Sequence, residues 1–174
     1  MSIEPYYAGV SPERRPPRIA NPVHVVLDNL RSAFNVGSIF RTSDAGAVAH
    51  VHLCGMSAYP PNDKLAKTAL GAFDYVPWTY HRDTVQAIEH LHAQAIPVIA
   101  IEVIDEAQSL YGFDWPRPAA IVFGNEVHGI RPEVLRLCDA SVCIPMHGYK
   151  NTINVATAYG IVLYEVLRAW RAVK

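Results

Sequence analysis

Apolar positions along the chain fall into short unbroken runs separated by stretches of helical period. The run VHVVLD (residues 23–28) predicts a first strand, and a helix follows over about 35–47. HVHLCG (50–55) predicts the second strand; a polar turn, YPPNDK, and a helical stretch to Leu70 lead to a third at YVPW (75–78). Asp83 carries a side-chain acceptor suited to cap the helix that runs on to Ala95. PVIAIEV (97–103), AAIVFG (119–124) and SVCIPM (141–146) predict three more strands, with a short helix after Pro132 and a closing helix over 151–170. Runs that are apolar throughout belong to strands covered on both faces. The pattern therefore predicts the α/β class, with a largely parallel sheet and helices on both of its faces. In the closing helix Val155, Tyr159, Val162, Leu163, Val166, Leu167 and Trp170 recur at three- and four-residue steps, the spacing of a core-facing stripe.

The first twenty residues break this pattern. They hold four prolines and three arginines, and proline withholds the backbone donors that regular elements need. Residues 1–21 are therefore expected to form an irregular arm and residues 22–174 a single domain. With 51% apolar residues and a net charge of −1, the composition is that of a folded globular protein. Near-zero charge also means that any nucleic-acid binding must come from a local basic patch. No apolar stretch is long enough to span a membrane and MSIEPYYAGV has no signal core, so a soluble cytoplasmic protein is expected. Cys54, Cys138 and Cys143 have neither the number of a disulfide framework nor a C-x-x-C spacing. His50 and His52 share one face of a predicted strand, but no third ligand accompanies them, and no metal is expected.

Parallel sheets bind ligands beyond the carboxyl ends of their strands, so chemistry is sought in the loops that follow the apolar runs. The familiar phosphate loops are absent. No glycines form G-x-G-x-x-G, and although Gly124 and Gly129 frame G-x-x-x-x-G, Ile130 and Arg131 follow where a P-loop requires Lys and Ser or Thr. Three segments remain. NLRSAFNVGSIFRTSDAGA (29–47) carries Asn35, Gly37 and Arg41; VFGNEVHGI (122–130) ends a strand in Gly124, Asn125 and Glu126; IPMHGYKNTINVATAYGIVLYE (144–165) passes through a glycine-containing loop to Thr152 and Asn154.

In this order and spacing the three segments resemble the sequence motifs of the SpoU/TrmH branch of the SPOUT superfamily, the RNA 2′-O-ribose methyltransferases. KTALGAFDYVPW (67–78) resembles the stretch between the first two motifs, and the likeness runs from residue 23 to residue 168. It implies a C-terminal trefoil knot, which general rules of chain connectivity would not predict, together with S-adenosylmethionine as cofactor and a homodimer. By position, the cofactor loops would include Ala100, Ile101 and Glu102; Gly124, Asn125 and Gly129; and Ile144, Pro145, Met146, Thr152 and Ile153.

The implied reaction moves a methyl group from a sulfonium to a ribose 2′-hydroxyl, so positioning and charge stabilisation dominate. Arg41 resembles the family's catalytic arginine. Guanidinium groups stay protonated in proteins, which suits clamping a phosphate or stabilising a developing alkoxide better than removing a proton. Asn35, Glu126 and Asn154 match the other catalytic positions, Glu126 as a candidate to fix Arg41 or to hold backbone N–H groups. Thr152 stands where the family commonly has serine and keeps the hydroxyl. Arg14, Arg15, Arg18, Arg31 and Lys150, with Lys64 and Lys67, are candidates for contacting RNA. Transfer RNA is the favoured substrate and ribosomal RNA the alternative. An RNA-binding module without catalysis would be expected to have lost Asn35, Arg41 or Glu126, and a dinucleotide-dependent oxidoreductase lacks its fingerprint here.

Overall fold

The computed structural model describes residues 17–172, so the expectations placed on Arg14, Arg15 and most of the N-terminal arm lie outside them. The strands are Asn21–Asp28 (β1), Val48–Cys54 (β2), Trp78–His81 (β3), Val98–Ile101 (β4), Gln108–Ser109 (β5), Ala119–Phe123 (β6) and Ala140–Cys143 (β7). The α-helices are Ala33–Ala45 (α1), Asp63–Ala69 (α2), Thr84–Ala93 (α3), Pro132–Leu135 (α4) and Val155–Ala169 (α5). All strands join one parallel sheet in the order β3-β2-β1-β6-β4-β7-β5. The expected α/β architecture is thus present, and no helix among the described residues is long and apolar enough to cross a membrane.

Both faces of the sheet are covered. Val25 and Leu27 of β1 and Ile121 and Phe123 of β6 pack with α1, α2 and α5 around Phe40, Leu65 and Tyr159. Val26 and Val122 point the other way, into a second cluster with Ile88 and Leu91 of α3 and Val134 of α4. Each fully buried aliphatic side chain contributes about 1.5–3 kcal/mol, and β6 is buried along its whole length. The centre of the sheet is therefore the rigid platform from which the loops at its carboxyl edge project. Gly37 lets α1 and α2 close together: a Cβ there would lie 2.1 Å from Thr68 Oγ1 and 2.4 Å from the Leu65 carbonyl oxygen.

Three boundaries differ from the sequence-based expectation for identifiable reasons. The third strand begins at Trp78, not Tyr75, because the amides of Tyr75 and Val76 both donate to the Ala72 carbonyl, closing a 3-10 turn (Ala72–Asp74), and Val76 is buried in the core, while Pro77 contributes only its carbonyl, to the Val51 amide. The closing helix starts at Val155, since the side chain of Asn154 caps it by accepting from the amides of Ala156 and Thr157; residues 151–153 remain loop. The seventh strand stops at Cys143, which leaves residues 144–146 outside the ladder and frees Ile144 and Met146 to line a cavity. The two-residue edge strand Gln108–Ser109 is exposed and polar, so it carries no apolar signature to read.

Candidate active site

Loops after β4, β6 and β7 converge beside the start of α5 on a cavity of about 520 Å3, within the range of small-molecule sites. Its wall combines residues 101–104, 123–130 and 151–155 with Ile144, Met146 and Ala158. Of the eleven residues assigned to cofactor binding from sequence, Ile101, Glu102, Gly124, Asn125, Gly129, Ile144, Met146, Thr152 and Ile153 line it. Ala100 is fully buried in the core beneath, and Pro145 is outside the wall. The wall also contains Val103, Ile104, Val127 and His128, which the sequence did not single out. They follow or sit between assigned residues, so loop continuity was the only available signal.

The 124–130 loop is held closed from several sides. Asn125 and Gly129 exchange backbone hydrogen bonds of 3.0 and 2.9 Å, and the Asn125 side-chain oxygen accepts from the amides of Val127 and His128. Gly124 has no space for a side chain, because a Cβ would lie 2.2 Å from the Gly129 carbonyl carbon. Glu102 reaches across from the end of β4 and accepts from the Ile130 amide at 2.9 Å. Below the loop, Asp28 is fully buried at the end of β1. It accepts from Thr84 Oγ1 at 2.5 Å, from the Arg131 amide at 3.1 Å and from Arg131 Nε at 3.2 Å, while Arg131 Nη2 also donates to Asp83 at 2.6 Å. Arg131 thereby ties the far end of the loop to β1 and to the N-terminus of α3.

Glu126 connects this loop to the first motif. Its Oε2 accepts from the Arg31 amide at 2.7 Å, and its Oε1 accepts from the Ser32 amide at 3.0 Å and from Asn35 Nδ2 at 2.9 Å. Partial burial works against ionisation of this carboxyl, but the bonds from the Arg31 amide, Asn35 and the Ser32 amide outweigh it and hold its pKa below the ordinary value. Because Asn35 gives its amide nitrogen to Glu126, its oxygen is left for Asn154 Nδ2, at 3.1 Å. Asn154 in turn keeps its oxygen for the α5 amides. Donor and acceptor roles are thus fixed along the chain from α5 through Asn154 and Asn35 to Glu126, which joins all three motifs at the mouth of the cavity.

Arg41 is elsewhere. It is exposed in a groove with Ser38, Lys67 and Tyr164, and makes no ion pair among the described residues. Six residues after Asn35, it lies about 9 Å further along α1 and on a different face. Glu126 therefore meets backbone amides and Asn35 instead of Arg41. Among the RNA candidates, Arg31 and Lys64 line one further groove, Lys67 lies beside Arg41, and Lys150 is exposed on the 147–150 loop. Arg18 donates to the Val48 carbonyl at the opposite, amino-terminal edge of the sheet. No group of three or more His, Cys, Asp or Glu among the described residues is arranged to hold a metal ion.

The chain is 33% identical over 147 residues to the tRNA (guanosine(18)-2'-O)-methyltransferase of Escherichia coli K12, an alignment covering 83% of this chain and 62% of that relative. An AdoMet-bound rRNA methyltransferase from Sinorhizobium meliloti superposes with a TM-score of 0.80 at 28% identity, over 91% of this chain and 60% of the other. A structure addressing "2-OH methylation of C/U34 on tRNA" gives 0.77 at 28% identity, over 87% of this chain and 97% of the other. The family description "SpoU rRNA Methylase family" matches residues 22–164, a span containing the three converging motifs, and the chain belongs to that family.

Proposed function

We propose that the protein uses S-adenosylmethionine to methylate a ribose 2′-hydroxyl in structured RNA, with transfer RNA the favoured substrate and ribosomal RNA the alternative. The observation that carries this reading is the Asn154–Asn35–Glu126 chain, which binds three motifs together at the mouth of one cavity. Residues 101–104, 124–130 and 144–153 would hold the cofactor. Their surface of backbone groups, with Ile101, Ile144 and Met146 between them, suits a ligand that is part apolar and part hydrogen-bonding. The cofactor supplies an electrophilic methyl group on a sulfonium. The chain's own residues must then orient the hydroxyl and stabilise the charge that develops on its oxygen.

Glu126, ionised and already engaged by three donors, is a positioning residue, not the base. Asn35, its amide engaged on either side by Glu126 and Asn154, is likewise a positioning residue that ties these two cavity-lining side chains together. Arg41, exposed and free of an acidic partner among the described residues, is available to clamp an RNA phosphate or a developing alkoxide. Its separation from Asn35 supports a homodimer in which Arg41 of the partner subunit completes the site. Exposed Ile161 and Tyr164 give α5 the apolar groups of such an interface. A trefoil knot formed by the 144–169 segment, metal-independent chemistry and a cytoplasmic location complete the reading.

The test is incubation with methyl-labelled S-adenosylmethionine and separated transfer and ribosomal RNA from a strain lacking the gene. Label should enter one RNA fraction with the wild-type protein and fall by at least about a hundredfold with Arg41→Ala, the scale of losing one charge-stabilising group. Label in neither fraction, despite cofactor binding, would refute the assignment of these substrates.

A further inference from the structure

A second hollow, of about 720 Å3, opens at the carboxyl ends of β1 and β2. It shares the strand of chain Arg31–Phe34 with the first motif, so the same backbone amides that hold Glu126 form one of its walls. Arg31 and Lys64, named above as candidates for contacting RNA, lie on it, but no role has been given to the apolar groups between them.

Three features describe what would fit it. Phe34, Met56 and Tyr59, residues 47%, 63% and 46% exposed, line it, a concentration of flat or polarisable apolar groups that a free protein surface normally hides. Arg31 and Lys64 lie at its rim, and neither has an acidic partner among the described residues. The walls are braced. The Tyr59 ring packs at 4.5 Å against Tyr80, whose hydroxyl donates to the Gly55 carbonyl, and Ser57 Oγ donates to the Leu27 carbonyl while accepting from the Leu30 amide. Aromatic faces between unpaired cations, on a rigid platform, are the elements that bind single-stranded nucleic acid through base stacking and phosphate contact.

We propose that this hollow binds an unstacked base of the RNA, adjacent to the nucleotide whose ribose is methylated, with Tyr59, Phe34 and Met56 against the base and Arg31 and Lys64 against the flanking phosphates. The inference rests on the proposed RNA methyltransferase activity. It adds that the substrate is read in a single-stranded loop, since a base held in a duplex cannot enter.

The test uses fluorescence anisotropy of the full chain saturated with S-adenosylhomocysteine. The probes are a short stem–loop RNA and a fully paired duplex of equal length, each titrated across a range of salt concentrations. The stem–loop should bind more tightly than the duplex. Tyr59→Ala should weaken the stem–loop by about tenfold, while Tyr59→Phe restores binding, because stacking needs the ring and not the hydroxyl. Lys64→Ala should lower the salt slope by about one, whereas Tyr59→Ala should leave it unchanged. Calorimetric binding of S-adenosylhomocysteine should be the same in every variant, which verifies that each is folded. If Tyr59→Ala and Phe34→Ala bind the stem–loop as the wild type does, the hollow is not a base site, although the methyltransferase reading stands. If the wild type binds S-adenosylhomocysteine but neither RNA, this inference and the RNA assignment fall together.

Discussion

Gly124 shows how little freedom single residues have at this site. A Cβ at that position would sit 2.2 Å from both the Gly129 carbonyl carbon and the Ile130 nitrogen, and these backbone atoms belong to a loop already fixed by Asn125 and Glu102. Gly124→Ala should therefore leave helix content by circular dichroism unchanged and reduce S-adenosylmethionine affinity by at least about tenfold, as forced overpacking typically costs 1–3 kcal/mol. Much at this scale was legible in the sequence. Gly124, Asn125, Glu126, Asn35 and Asn154 stand out as polar or flexible residues where apolar runs end, and those strand ends are where a parallel sheet binds ligands. For Glu126 the sequence left two partners open, Arg41 or backbone N–H groups, and did not choose between them. A charge rule favours an arginine, but the fold delivers two amides at the N-terminus of α1 and Asn35, because Arg41 is a turn and a half further on. Asp28 and Arg131, 103 residues apart, carried no local sign of pairing.

Between elements, the Asp28–Arg131 contact and the histidines of β1, β2 and β3 make the strongest predictions. Asp28 is fully buried, so removing Arg131 leaves a carboxylate with Thr84, Asn29 and a backbone amide but no counter-charge. Arg131→Met should cost about 3 kcal/mol in urea unfolding, the lower end for breaking a buried pair, because Arg131 itself is partly exposed. Parallel pairing sets His24 of β1 beside His50 of β2, with His52 two residues further along β2 and His81 a further two along in β3, so the four rings run diagonally across one face. His52 bridges His24 at 3.2 Å and His81 at 3.0 Å, an arrangement that requires one nitrogen to donate and the other to accept. Burial first, and neighbouring imidazoles second, lower the pKa of His50 to about 4 and of His52 to about 2; His24 and His81 shift in the same direction, each through burial and then His90. The fold therefore keeps these rings neutral, whereas an unfolded chain protonates them near 6.5. As pH falls below 6.5 the unfolded state binds protons the folded state refuses, so stability should decline from pH 6.5 to about 4 and stay level above 6.5. Urea unfolding at several pH values checks this, and His52→Leu should flatten the decline. A stability curve that rises as pH drops through this window would contradict it. The sequence placed His50 and His52 on one face, but His81 belonged to a strand whose register was expected three residues earlier, so the array could not be assembled from spacing alone.

At the scale of the molecule, the sheet was the most legible feature: β1, β4 and β6 are apolar runs, and runs of that kind occur where helices cover both faces. What the sequence could not convey is that one protomer leaves Arg41 outside the cavity that Asn35 and Glu126 organise. The proposed homodimer resolves this, and Ile161→Asp, on the exposed side of α5, should convert it to a monomer by analytical ultracentrifugation. Methyl transfer should be lost with the dimer, while thermal unfolding remains cooperative. The chemistry is decided by which atom of the RNA receives the methyl group. RNA labelled by the protein with methyl-labelled S-adenosylmethionine should be digested to nucleosides and resolved by chromatography and mass. Ribose methylation requires all label on the sugar fragment of a single 2′-O-methylnucleoside. Label on a base fragment would contradict it, whatever the RNA.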